Sequence, residues 1–302
     1  MTDWGICATV KATPDQVLAF VAHHLGLGAS QVWLHFDDPN DLAFEAASGL
    51  AGVEATRCDE AYWTALMGRR PGKHQNRQSR NMQRVYAQTH LPWVAHIDVD
   101  EFLHPTHPID RVLSALPQDQ NLLRLPPYEA LHDPAAPDDI FTSRYFRAAL
   151  RGNADEAARA RVFGIYAPLL PFGVLSHSAG KCFFRTGLSR FEPRLHGAFR
   201  AGARVAGGAF CPDIALLHFH AEDPIRWKDR LHFRLTKGAY QYNPPLQDWL
   251  SNASAPEIDQ FYDAVQTASD DLLQRLRKET ILRETHLHLR QQVETLLRKS
   301  AP

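Results

Sequence analysis

The first hundred residues switch between two hydrophobic periods, and the switch draws a β-α-β opening. Ile6 to Lys11 is a short apolar run that reads as a buried strand. Thr13-Pro14-Asp15 then supplies an N-cap, a first-turn proline and an acid at the positive end of a helix dipole. Val17, Leu18, Val21 and Leu25 follow at helical spacing, and Gly26-Leu27-Gly28 stops the helix. Gln31 to Phe36 reads as a second strand, running into the acidic loop Asp37-Asp38-Pro39-Asn40-Asp41. Loops at the carboxyl ends of such strands are where doubly wound sheets bind ligands.

Farther along, a helical stretch from Asp41 to Leu50 leads to a weak strand near Val53. Gly68 to Arg80 is basic and polar, and either neutralises a phosphate or forms a solvated loop; a helix is expected from Asn81 to Thr89. Trp93 to Ile97 reads as a strand entering Asp98-Val99-Asp100-Glu101. Pro126 to Asp139, rich in proline and acid, reads as a long functional loop. Ile214 to His220 is another buried strand, and from Pro256 the pattern is amphipathic and helical. The expected division is a domain over 1–240 and a C-terminal helical extension over 241–302.

Composition narrows the partners. With 33 Lys and Arg against 34 Asp and Glu, the net charge of −1 gives no global attraction to nucleic acid or anionic lipid. The four cysteines are scattered without metal-ligand spacing, which fits a reduced, cytoplasmic setting. No secretory leader and no long apolar span is visible, so an integral membrane segment is not expected, although the terminal helices could rest on a membrane surface.

The chemistry concentrates at Asp98 and Asp100. On a continuing strand the two carboxylates would project together while Val99 faces the core. Converging carboxylates at the end of a buried strand need compensation, and a hard cation bridging to a diphosphate supplies it. Histidine, with 16 copies, offers further ligands.

The segment Trp93-Val94-Ala95-His96-Ile97-Asp98-Val99-Asp100-Glu101-Phe102-Leu103 resembles the W-v-x-x-i-D-v-D-E-F-l stretch of family-2-like and GT92-like (DUF23-type) glycosyltransferases. Phe20 to Gly28 is similar to their helix ending H-x-x-L-G, Gly180-Lys181 with His196 to their G-K and v-H segment, and Leu217-His218-Phe219 to their late l-x-H-Y. The chain departs from them at Lys11-Ala12-Thr13 and Ala19, where those families carry acidic groups. The resemblance implies a GT-A, Rossmann-like α/β fold: a mixed, mostly parallel sheet flanked by helices. It implies transfer of a sugar from a UDP- or GDP-linked donor to a saccharide or other hydroxyl acceptor, with Mn²⁺ or Mg²⁺ as cofactor. Asp98, Asp100 and His218 would hold the metal, with His220 a second imidazole candidate. Asp37, Asp38, Arg77, Gln78, Asp98 and Lys181 would hold the donor. Asp100 would act in catalysis through the cation, and Glu129, Asp133, Glu192 and His196 are candidates for the base that deprotonates the acceptor. Glu101 would orient the loop.

Two other readings use the same residues. One is a metal-dependent phosphoester hydrolase, although the second carboxylate group such enzymes need is not apparent. The other is a degenerate nucleotide-sugar-binding protein.

Overall fold

The computed structural model describes residues 2–136, 140–151 and 155–300. The chain opens with β1 (Trp4–Val10), α1 (Pro14–Gly26) and β2 (Gln31–Phe36). The Thr13 side chain accepts from the Gln16 amide while Gln16 reaches back to Thr13, closing a capping box that starts α1 where the sequence marks it. There follow α2 (Ala43–Ala47), β3 (Val53–Arg57), α3 (Glu60–Met67), α4 (His74–Gln88), β4 (Trp93–His96), β5 (Glu101–Pro105), α5 (Ile109–Ser114) and β6 (Leu122–Leu125). The middle holds β7 (Pro127–Ala130), β8 (Tyr145–Ala148), α6 (Glu156–Phe163), β9 (Lys181–Arg185), β10 (Phe191–Arg194), β11 (Gly197–Arg200), β12 (Ala203–Arg204) and β13 (Ile214–His218). The last part is helical: α7 (Pro224–Asp229), α8 (Leu231–Thr236), α9 (Pro244–Asn252), α10 (Ala255–Gln266), α11 (Asp270–Lys278), a short β14 (Leu282–Glu284) and α12 (Leu289–Ser300).

The chain divides into two compact units, 1–126, 180–216 and 288–302 in the first, and 127–179 and 217–287 in the second. The residues expected as a terminal extension are thus shared out, with α12 in unit 1 and α9 to β14 in unit 2.

Unit 1 is built on a six-stranded sheet in the order β3-β2-β1-β4-β9-β6. β3, β2, β1 and β4 are parallel; β9 runs antiparallel between β4 and β6. Every residue of β1 is buried, as expected for a central strand covered on both faces. Met82, Val85 and Tyr86 of α4 pack with Cys7, Val94, Cys182 and Phe184 of the sheet. α12 packs along α1, burying Leu289 and Val293. The mixed α/β architecture expected from the sequence is present. The strand order reverses at β1: β2 and β3 lie on one side and β4 on the other, which places a switch-point crevice at the carboxyl ends of β1 and β4.

Unit 2 pairs β7, β8 and β14 antiparallel and packs helices on a core that includes Leu131, Val162, Phe163, Trp227, Phe261, Tyr262 and Leu272. Pro127–Ala130 is a strand rather than the start of a long loop, because Glu129 is drawn into an ion pair with Arg147 opposite it. The end of that expected loop, 137–139, lies outside the described residues.

No helix among the described residues is long and apolar enough to cross a membrane.

Candidate functional site

The acidic segment sits in the switch-point crevice of unit 1. β4 ends at His96, the Ile97 amide donates to the Cys7 carbonyl of β1, and Asp98 to Asp100 form a turn. The continuing strand assumed for Asp98 and Asp100 is therefore replaced by a turn, and its cause is Glu101. The Glu101 amide donates to the Asp98 carbonyl at 2.9 Å, and the Asp98 amide donates to Glu101 Oε2 at 2.7 Å. The fully buried Glu101 carboxylate therefore shapes the loop.

Lys181 enters this turn from β9. Its Nζ lies 2.7 Å from Asp98 Oδ2 and 3.4 Å from Glu101 Oε2, and its side chain is 2% exposed. Burial alone would lower the ammonium's pKa, but Asp98 and Glu101 reverse that and raise it. Gly180 makes the approach possible: its φ is +68°, and a Cβ there would lie 2.0 Å from the Leu125 carbonyl oxygen. His196 Nδ1–H donates to the Gly180 carbonyl at 2.6 Å, so this histidine braces the same corner. Gln78 of α4 donates to Asp98 Oδ1 at 2.6 Å. Asp98, Gln78 and Lys181, three residues singled out in sequence, are thereby brought together.

Asp37, at the end of β2, is held differently. Arg77 binds it through two bonds of 2.6 Å, and Arg70 adds a third at 3.1 Å. Burial pushes the Asp37 carboxyl upward, yet the hydrogen-bonded Arg77, with Arg70 behind it, holds it below the usual range. The remaining Arg77 donors reach the Pro71 and Gly72 carbonyls. The basic stretch is thus folded onto β2, and α4 begins at His74, seven residues before the expected start at Asn81. Asp38 closes an Asx turn onto the Asn40 amide.

Below the turn, Asn81 donates to Thr9, and the Tyr62 hydroxyl donates to Asn81. His96 is buried, and burial pulls its pKa down to about 3, leaving a neutral ring with no hydrogen-bond partner for either nitrogen among the described residues. The sequence pattern flagged neither Thr9, Asn81 nor Arg70, because each acts through a contact far away in the chain.

Of the other expected residues, Glu192 lies in unit 1, and Glu129, Asp133 and His218 lie in unit 2. Glu192 is exposed on β10 and pairs with Arg194. Glu129 is buried against Arg147, and the Leu175 and Ser176 amides also donate to it. Burial raises its pKa, but Arg147 and those amides more than offset this and keep it ionised. A carboxylate so held accepts a proton reluctantly. Asp133 is similarly clasped by Arg144. His218 belongs to unit 2, where its ring stands 5.6 Å from that of His177 and 5.3 Å from that of His220. Trp227 is core, donating to Tyr240, and Trp249 packs on Phe261. A cleft of about 510 Å³ in unit 1, between the end of α5 and residues 205–213, contains none of the expected site residues.

No family model matches the chain, and neither does any curated protein. Among solved structures, HddC from Yersinia pseudotuberculosis aligns over 72% of this chain and 77% of its own, at 11% identity and a TM-score of 0.29. S. aureus TarS 1-349 in complex with UDP-GlcNAc aligns over 91% and 72%, at 9% identity and a TM-score of 0.32. The galactosyltransferase LgtC, in complex with donor and acceptor sugar analogs, aligns over 61% and 58%, at 10% identity and a TM-score of 0.27. Likenesses this distant transfer no residue roles, and the functional reading rests on the site itself.

Proposed function

We propose that the chain is a GT-A glycosyltransferase that moves a sugar from a nucleoside-diphosphate donor to a hydroxyl acceptor. The observation that carries this reading is the placement of the Asp98–Asp100 turn in the switch-point crevice, beside the end of β1. Crevices of this kind take nucleotides in doubly wound sheets. Asp37, at the end of the neighbouring β2, completes the rim from the nucleoside side.

The residues present fit a divalent cation. Carboxylate oxygens suit Mg²⁺ or Mn²⁺, and the two Asp98 oxygens already accept from Gln78 and Lys181. Asp100, on the same turn, would be the direct ligand, with Asp98 acting beside it. A bound cation would offset charge on the departing nucleoside diphosphate. The chain's own contribution is a preorganised turn: Glu101 fixes its backbone, and Lys181 fixes Asp98. The fixed positive charge of Lys181 beneath the turn also lowers the electrostatic cost of holding a diphosphate there.

Titration calorimetry of UDP and GDP, with and without Mn²⁺, tests the reading on the parent and on Asp100→Ala. Binding that needs the metal and disappears in Asp100→Ala supports it. Binding indifferent to both overturns it, and release of phosphate from a phosphoester without sugar transfer would favour a hydrolase.

A further inference from the structure

One helical stretch of unit 2 interleaves cations with exposed apolar side chains. From Pro224 to Tyr242 there are five Lys or Arg residues against a single acid, Asp229, in a chain of net charge −1. Three of the five are committed. Arg226 lies 3.7 Å from Asp223, Lys228 pairs with Asp259, and Arg234 turns inward onto His220. Arg230 and Lys237 are exposed and make no ion pair among the described residues.

The two free cations bracket α8. Leu231 and Leu235 of α8 pack against the unit 2 core, which leaves Phe233 on the outer side of the helix, with Arg230 and Lys237 as the residues that cap its two ends. Phe233 is 53% exposed there, with Ile225 at 73% and Tyr242 at 77% on the flanking segments. Gln247 donates to the Leu235 carbonyl and Asn243 donates to the Leu169 carbonyl. These bonds draw the 164–169 turn, with Ile165 84% exposed, beside the same segments. A single exposed apolar residue is ordinary; four on tied segments, three of them in the same Pro224–Tyr242 stretch as the two cations, mark an interaction surface.

We propose that this face docks on an anionic lipid surface. The apolar side chains enter the boundary between headgroups and acyl chains, while Arg230 and Lys237 keep their charges at the lipid phosphates. Charge complementarity selects this partner: the cations are local to the apolar patch, and the rest of the chain supplies no net attraction. Nucleic acid fits less well, since two free cations neutralise few phosphates.

Cosedimentation of the full chain with phosphatidylcholine vesicles, with and without phosphatidylglycerol, tests the proposal. The parent should sediment with the anionic vesicles, dissociate as salt is raised, and bind pure phosphatidylcholine weakly. Combining Arg230→Glu with Lys237→Glu should weaken binding by about tenfold or more. Combining Phe233→Ser with Tyr242→Ser should also weaken it, which simple electrostatic adsorption would not show. Leu42→Ser removes an equally exposed side chain (81%) of unit 1 and should bind as the parent does. Thermal melts by circular dichroism verify folding, and if a variant does not fold, the salt and lipid dependence of the parent decides. No sedimentation with anionic vesicles, undiminished binding of both double variants, or retention on nucleic acid without vesicle binding would overturn the proposal.

Discussion

The ammonium of Lys181 stands 2.7 Å from Asp98, so the acidic turn carries a cation of its own inside the protein. This pairing turns a repulsive run of three acids into a stable element. It also makes Lys181 part of the turn's foundation.

Removing Lys181 should therefore damage stability before it damages affinity. Lys181→Met deprives Asp98 and the buried Glu101 of the ammonium they share, and a loss of about 3–5 kcal/mol is expected. Adding Asp98→Asn should restore part of that loss, because one of the two stranded charges is removed with its partner. Urea unfolding of the two single variants and the double variant measures the coupling. Additive losses would show that the 2.7 Å contact is energetically idle.

Asp37 and Arg77 make a second testable pair. Asp37→Asn weakens the bidentate clasp and frees Arg77 together with the Pro71-Gly72 backbone it holds. Nucleotide affinity should fall by roughly tenfold, while the melting temperature changes by only a few degrees, since the pair is partly exposed. Calorimetry beside a thermal melt separates the two effects. Unchanged affinity would remove the end of β2 from the donor site.

The buried histidines of unit 1 should make it sensitive to mild acid. Desolvation pulls His23 and His35 down to about 4 and holds His24 well below its ordinary value. An unfolded histidine titrates near 6.5, so between about pH 6.5 and 4 the unfolded chain binds more protons than the folded one. Stability is thus full above pH ~6.5 and falls as the pH drops below it. His24 is the informative position. Its Nδ1–H donates to the Phe20 carbonyl, and its Nε2 accepts from the Leu103 amide, so protonation breaks the second bond. The melting temperature should drop by roughly 5 °C or more between pH 6.5 and 5. In His24→Gln the protein should be less stable at pH 7 but flatter across that range.

The parts of this architecture legible in the sequence are those written in local chemistry. The capping box at Thr13, the strand Gln31–Phe36 and the start of β4 at Trp93 are fixed by neighbours in the chain, and they appear where the periodicity puts them. What local pattern could not supply is pairing across distance. Gly68 to Arg80 looks like a solvated loop until Arg77 meets Asp37 forty residues away, and that contact lets α4 start early. The turn at Asp98 looks like a continuing strand because alternation ignores the reach of Glu101 back to the Asp98 amide. Glu129 illustrates the same limit. A carboxylate in a proline-rich stretch resembles a loop acid, and only Arg147 on the opposing strand reveals it as core.

That last pair should dominate the acid stability of unit 2. Glu129 and Arg147 are both essentially inaccessible, and Arg147 also donates to the Gln266 side chain. A carboxylate whose folded pKa is depressed contributes its full stability above its unfolded value of about 4.3, and that contribution is lost as pH falls toward the folded value. The Glu129 contribution should hence persist through the histidine range and disappear only below about pH 4.5. Glu129→Gln should remove that late acid limb and cost about 3–5 kcal/mol at pH 7, since Arg147 is left buried without its anion. The double variant with Arg147→Met should recover much of the loss. Urea unfolding at pH 7 and at pH 4 measures both effects. If Glu129→Gln is instead as stable as the parent at pH 7 but inactive in sugar transfer, Glu129 is a proton acceptor rather than a structural anion.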